Sequence, residues 1–123
     1  MPDVDNHLPL TPGVFQILLA LSDGEKHGYA IMRIVKEATD GQMVLGPGTL
    51  YGAVKRLMRD NLIAESDYRP DPAVDDARRR YYELTDLGRR VLMAEAQRLA
   101  DLVAQARRKE LLRAEGAGYG GEA

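Results

Sequence analysis

The stretch GPGTLYGAVKRLMRDNLI, Gly46 to Ile63, carries hydroxyls at Thr49 and Tyr51, cations at Lys55, Arg56 and Arg59, and glycines at Gly48 and Gly52. A helix turns by about 100° per residue, which gathers Leu50, Val54, Leu57 and Met58 on one arc and Gly48, Thr49, Gly52, Lys55, Arg56 and Arg59 on the opposite one. The outer face is therefore cationic and nearly without bulk at its start. Glycine costs about 1 kcal/mol against alanine inside a helix, so Gly52 on that face makes sense where something must approach the backbone closely. The wall of a DNA groove is such an object. Exposed N–H groups at Gly48 and Thr49, with the positive end of the helix dipole, suit a phosphate. Thr49 and Tyr51 add hydroxyl donors, and the three cations can reach phosphates or guanine edges. As a bare charge pattern the same face is also an ordinary solvated one. The elements around it decide between the two.

Other chemistries find little support. The chain has no cysteine, hence no thiolate nucleophile, disulfide framework or cysteine metal site. His7 and His27 lack a His-x-x-x-His spacing, and His27 reads as a residue that starts a helix. GPGT lacks the Gly-Lys-Ser/Thr continuation of a phosphate-cradling loop. Ser22 and Ser66 have no histidine that the sequence places to activate them. Neither an enzyme nor a cofactor is expected. Met32, Met43, Met58 and Met93 read as core filler, and with no tryptophan and Phe15 as the single phenylalanine no large aromatic cage is expected.

The basic helix needs a frame. Thr11-Pro12 is a helix start, a hydroxyl cap followed by a proline whose missing N–H does no harm, and Val14, Ile17, Leu18 and Leu21 follow at helical spacing up to Ser22-Asp23-Gly24. His27-Gly28 opens a second helix with the stripe Ile31, Ile34, Val35 and Ala38, stopped at Thr39-Asp40-Gly41. The basic helix runs from about Pro47 to Asp60. Leu62 to Arg69 and Arg79 to Thr85 then read as strands joined by a polar tip, Pro70 to Arg78. Thr85-Asp86 caps a last helix over 87–114, and the glycine-rich residues 115–123 read as a disordered tail. The pattern predicts a mainly α fold with a small β-hairpin, a winged helix-turn-helix over 8–86 plus one long C-terminal helix.

Composition agrees with a folded domain: of 123 residues, 45% are hydrophobic and 29% charged. The longest apolar run, near Ile17 to Leu21, is too short to cross a bilayer, and Met1 to His7 carry acids in place of the basic start of a signal peptide. A cytoplasmic protein with no membrane partner is expected. A formal net charge of −2 speaks against a nucleic-acid binder when taken alone. Local charge must outweigh it, and the hairpin supplies more: Arg69 ends the first strand, and Arg78, Arg79 and Arg80 open the second. A wing carrying these beside the basic helix would reach the sugar-phosphate backbone or the minor groove, although Asp71, Asp75 and Asp76 at its tip can pair with the arginines.

Three blocks, HGYAIMRIV (His27 to Val35), GTLYGAVKRLMRDNLI (Gly48 to Ile63) and RRRYYELTDLGRRVL (Arg78 to Leu92), resemble the PadR family of bacterial transcriptional regulators, a likeness that spans roughly Leu10 to Leu92. The resemblance implies a winged-helix homodimer that binds double-stranded operator DNA, usually as a repressor, and is released by a small-molecule effector or another signal. It places Thr49, Tyr51 and Lys55 where DNA is touched, and Tyr82, Leu84, Thr85 and Gly88 at the strand and cap into the last helix. Asn61 stands where the family usually has glycine, and the wing tip is longer and more acidic than usual. The rival reading is a winged helix kept as a protein-interaction module; the acidic tip and net charge favour it, and the outward cations oppose it.

The last helix carries a second partner signal. Leu92, Ala96, Leu99, Val103 and Ala106 follow spacings of four and three, as in a coiled-coil seam, and Val91 and Leu102 widen the apolar face. So long a helix cannot bury both stripes on its own small domain. A second copy of the chain is expected there, with the first helix joining the interface as in the short-tailed branch of the family resembled.

Overall fold

The computed structural model describes residues 2–68 and 79–113. Within them run α1 (Pro2–Asp5), α2 (Pro12–Ala20), β1 (Lys26–His27), α3 (Gly28–Ala38), α4 (Pro47–Arg59), β2 (Ile63–Ser66), β3 (Tyr81–Leu84) and α5 (Asp86–Arg108). This is a mainly helical fold with a small antiparallel sheet. Arg69 and Arg78, the wing tip between them and the expected tail over 115–123 lie outside the described residues.

Local chemistry starts and stops the helices as the sequence suggests. The Thr11 hydroxyl accepts from the Val14 N–H ahead of Pro12, and Nδ1 of His27 accepts from the Ala30 N–H to cap α3. Three helices end in the same wrapped motif, in which one residue turns left-handed and the next returns its N–H to a carbonyl five residues back. Asp40 (φ 51°), Asn61 (φ 62°) and Glu110 (φ 61°) are those left-handed residues. The returning bonds run from Gly41 to Lys36, Leu62 to Leu57 and Leu111 to Ala106. Asn61 thus takes a left-handed position of the kind that glycine most often fills. Glu110 also explains why α5 stops at Arg108 and not at 114 as expected.

The core gathers Ile17, Leu18 and Leu21 of α2, Ile31 and Val35 of α3, Leu50, Val54 and Leu57 of α4, and Val91 and Leu92 of α5. Four expectations need correction. The sheet has a third strand: β1 pairs with β3 (Lys26 opposite Tyr82), and β3 pairs with β2 (Ile63 opposite Leu84), in the order β1-β3-β2. The described wing strands are shorter than the sequence runs suggest. The core also begins before residue 8, because Val4 of α1 is buried in it. Finally, Met58 and Met93 are exposed at 37% and 65%, so only Met32 and Met43 pack as core filler.

Candidate nucleic-acid interface

α4 presents its faces much as its sequence implies. Leu50, Ala53, Val54 and Leu57 are buried, while Gly48, Thr49, Tyr51, Lys55, Arg56, Met58 and Arg59 are exposed and Gly52 is half-buried. Its N-terminus is left open: Gly46 precedes it with no side-chain cap, so the first N–H groups face outward with the positive end of the dipole. Met58 lies at the edge of the apolar arc and falls on its wet side.

The glycines divide into two kinds. At Gly88 an added Cβ would strike the Leu62 carbonyl, so the backbone itself demands glycine there, and at Gly28 it would strike the Tyr51 phenol, so glycine is what lets that ring lie where it does. At Gly48 a Cβ would meet nothing within 4 Å, and at Gly52 only the Arg56 guanidinium, 3.6 Å away. Neither glycine carries a positive φ. The fold gives no reason to omit a side chain on this outer face, where glycine weakens the helix.

The cations are placed by different elements. Lys55 stands one turn beyond Tyr51 on the outer ridge of α4. Arg59 makes a loose pair with Asp60 (3.5 Å). Arg56 borders a cleft of about 200 Å³ lined also by His7, Leu10 and Asp60. From the wing, Arg79 and Arg80 line a larger cleft of about 500 Å³ together with Tyr29, Tyr51 and Tyr82. Arg80 donates to Glu65 across the strands at 2.7 Å, which holds its guanidinium still more firmly protonated. Burial pushes the Tyr82 phenol up. Sequence reasoning overlooked Tyr29 and Glu65. Tyr29 was legible as an aromatic off the α3 apolar stripe, whereas Glu65 meets Arg80 only once the strands pair.

The expected seam of α5 is split. Leu92 is 6% exposed and lies in the chain's own core, so it is spent before any partner arrives. Leu99 is half-buried beside Phe15 and Gln16 around a depression of about 260 Å³. Ala96 and Val103 are exposed and Ala106 is half-buried. Between these positions sits Glu95, 1% exposed, which sequence reasoning missed. Its carboxylate accepts from the Leu10 N–H (3.2 Å) and from Arg98 (2.6 and 2.9 Å). Arg98 holds the acid below its usual range, against the opposing effect of burial. Among the described residues no three His, Cys, Asp or Glu gather as a metal site, and no helix is long and apolar enough to cross a membrane.

Three core helices, a short sheet and a bare-faced third helix beside a cationic wing define the winged helix-turn-helix class. Residues 17–94, more than half of the chain, match the transcriptional regulator PadR-like family, and the chain belongs to it. A transcriptional regulator from Clostridium thermocellum superposes with a TM-score of 0.62 at 27% identity, covering 79% of this chain and 87% of that one. RosR from H. salinarum gives 0.62 at 28%, covering 85% and 87%. A PadR family transcription regulator from Clostridium difficile gives 0.62 at 25%, covering 80% and 97%. An uncharacterized 37.1 kDa protein in transposon TN4556 of Streptomyces fradiae is 38% identical over 86 residues, which are 70% of this chain and 22% of that protein. The chain therefore matches about a fifth of that relative's length.

Proposed function

We propose that the chain is a homodimeric DNA-binding regulator that places α4 in the major groove of a pseudo-palindromic operator and acts as a repressor released by a small molecule or another signal. The observation that carries this reading is Gly52. It leaves an open, side-chain-free patch beside Lys55 and Arg56 that the fold does not require, and close approach of a groove wall supplies the missing reason. Thr49, Tyr51 and Lys55 then meet phosphates or base edges, with Arg79 and Arg80 on the flanking backbone. Family membership and the regulator neighbours support the same reading.

A second copy is proposed along α5. The side of this helix that buries Val91, Leu92 and Glu95 continues through half-buried Leu99 to Leu102, Val103 and Ala106. Leu102 and Val103 remain 49% and 43% exposed, and full burial of such a side chain contributes about 1.5–3 kcal/mol. The effector is proposed to enter at the depression beside Phe15 and Leu99, which a paired α5 would roof.

Selection of bound duplexes from random sequence, followed by footprinting, tests the whole reading. Two half-sites about 34 Å apart are expected from a two-fold dimer. Failure to enrich any sequence, or a single asymmetric half-length footprint, would contradict it.

A further inference from the structure

The cleft of about 500 Å³ beside α4 has walls from four parts of the fold: His27 of β1, Gly28 and Tyr29 at the start of α3, Tyr51 on α4, and Arg79, Arg80 and Tyr82 at the base of the wing. Among the described residues that line it there is no Asp or Glu. Two of its aromatic parts have a defined seat. Gly28 is buried, and the absent Cβ is what lets Tyr51 lay its phenol against the first turn of α3. Tyr82, 3% exposed, forms the floor. Tyr29, in contrast, stands 69% exposed with no core to fill. Opposite it, Arg80 is oriented by Glu65; a guanidinium has five donors, and one carboxylate engages only part of that fork.

The geometry points to a phosphodiester-binding notch: one DNA backbone phosphate lodges between the start of α3 and the base of the wing. Tyr29 and Tyr51 donate hydroxyl hydrogen bonds to it, and Arg79 and Arg80 contribute guanidinium bonds. The rim offers donors and positive charge, which selects an anion. The aromatic walls and a volume well beyond that of a bare phosphate suit a sugar-phosphate unit. Tyr51, Lys55 and Arg59 follow one another at i, i+4 and i+8, so one ridge of α4 leads from the notch along the face that bears Gly52. A strand bordering the groove that α4 enters would pass over the notch. The inference rests on that proposed placement of α4 and adds Tyr29, a residue outside the basic face, as a contact.

The test uses a duplex recovered from random sequence by the wild-type protein. Tyr29→Phe removes one oxygen from an exposed ring, so the melting temperature should not move. Binding should weaken about ten-fold or more, since a hydrogen bond to a charged group is lost in each subunit, and the salt dependence should keep its slope because no charge is removed. Arg79→Ala should weaken all duplexes alike and flatten the slope by about 0.9 per subunit. A methylphosphonate scanned along the backbone should weaken wild-type binding at every contacted phosphate, and with Tyr29→Phe its effect should shrink at one position per half-site, the notch phosphate, and stay unchanged at the others. If both variants bind as the wild type does while Gly52→Leu does not, the notch is not a backbone site and the inference fails alone. If the notch takes a free phosphorylated small molecule, inorganic phosphate at matched ionic strength would raise the melting temperature of the wild type and not of Tyr29→Phe, with equal DNA affinities; that result also overturns it. A wild type that recovers no duplex overturns the inference together with the reading beneath it.

Discussion

The Thr85 hydroxyl donates to the Asn61 carbonyl at 2.6 Å and accepts the Gly88 N–H at 2.9 Å, so one oxygen joins the end of α4 to the start of α5. The Thr85 N–H adds a bond to the Leu62 carbonyl at 3.1 Å, against which Gly88 leaves no room for a Cβ. The proposed recognition helix and the proposed dimer arm share this junction. A signal that alters how two arms cross would thereby alter the spacing of two α4 helices.

Thr85→Ala removes the α5 cap and should cost about 1 kcal/mol. Gly88→Ala forces a Cβ into backbone and should cost about 1–3 kcal/mol or unfold the chain. Denaturant melts of both variants check this, and wild-type midpoints would show the junction to be slack.

Glu65 competes with DNA for Arg80 if the wing meets phosphate. Both side chains are substantially solvated, so their pairing contributes little to the fold. Glu65→Gln should therefore leave stability nearly unchanged and tighten DNA binding severalfold at low salt, with the gain fading as salt screens the charges. Weaker binding by this variant, measured by anisotropy titration, would mean that Glu65 positions Arg80 and does not compete for it.

Glu95 makes stability depend on pH. Folding lowers its proton affinity through Arg98 and Leu10, so the unfolded chain takes up the proton first. Its contribution is complete above the ordinary value of 4.5 and is lost as pH falls through the lower folded value. Arg98→Ala leaves a buried acceptor short of a partner and should cost about 1–3 kcal/mol at neutral pH, with a smaller difference from wild type in acid. A pH-independent difference between the two proteins would contradict this account of the site.

Val103 is exposed and makes no core contact in its own chain, so Val103→Glu tests the proposed dimer without disturbing the monomer. Sedimentation at micromolar concentration should show a dimer for the wild type and a monomer for the variant, with the same melting behaviour on dilution. A monomeric wild type would remove the dimer and the palindrome with it.

Much of this fold was legible because its signals are local. Thr11, His27 and Thr85 each cap the helix that the sequence has them open, and α4 repeats its apolar positions over several turns. The misses came from brevity or distance. β1 is two residues long, too short for any periodicity, and α1 is a single turn that brings Val4 into the core. Leu92 fits a seam by spacing, but which part of a long amphipathic helix rests on its own domain depends on where that domain ends. Glu95 looks like a solvated acid because its partner Leu10 is 85 residues away in the chain. On the candidate site, spacing found the bare face of α4, whereas the cleft with Tyr29 needed residues of β1, α3, α4 and the wing brought together in space.

The placement of α4 in a groove is the central claim, and DNA affinity of Gly52→Leu is its most direct measure. A side chain here has room in the free protein, since the nearest atom to an added Cβ is the Arg56 guanidinium at 3.6 Å. The fold should be kept or gain about 0.5–1 kcal/mol from the loss of glycine. The leucine would project where the groove wall should lie, so binding to a selected duplex should fall to the non-specific level, about 10³-fold weaker or more. A stable Gly52→Leu protein with wild-type affinity would show that this face of α4 does not enter the groove.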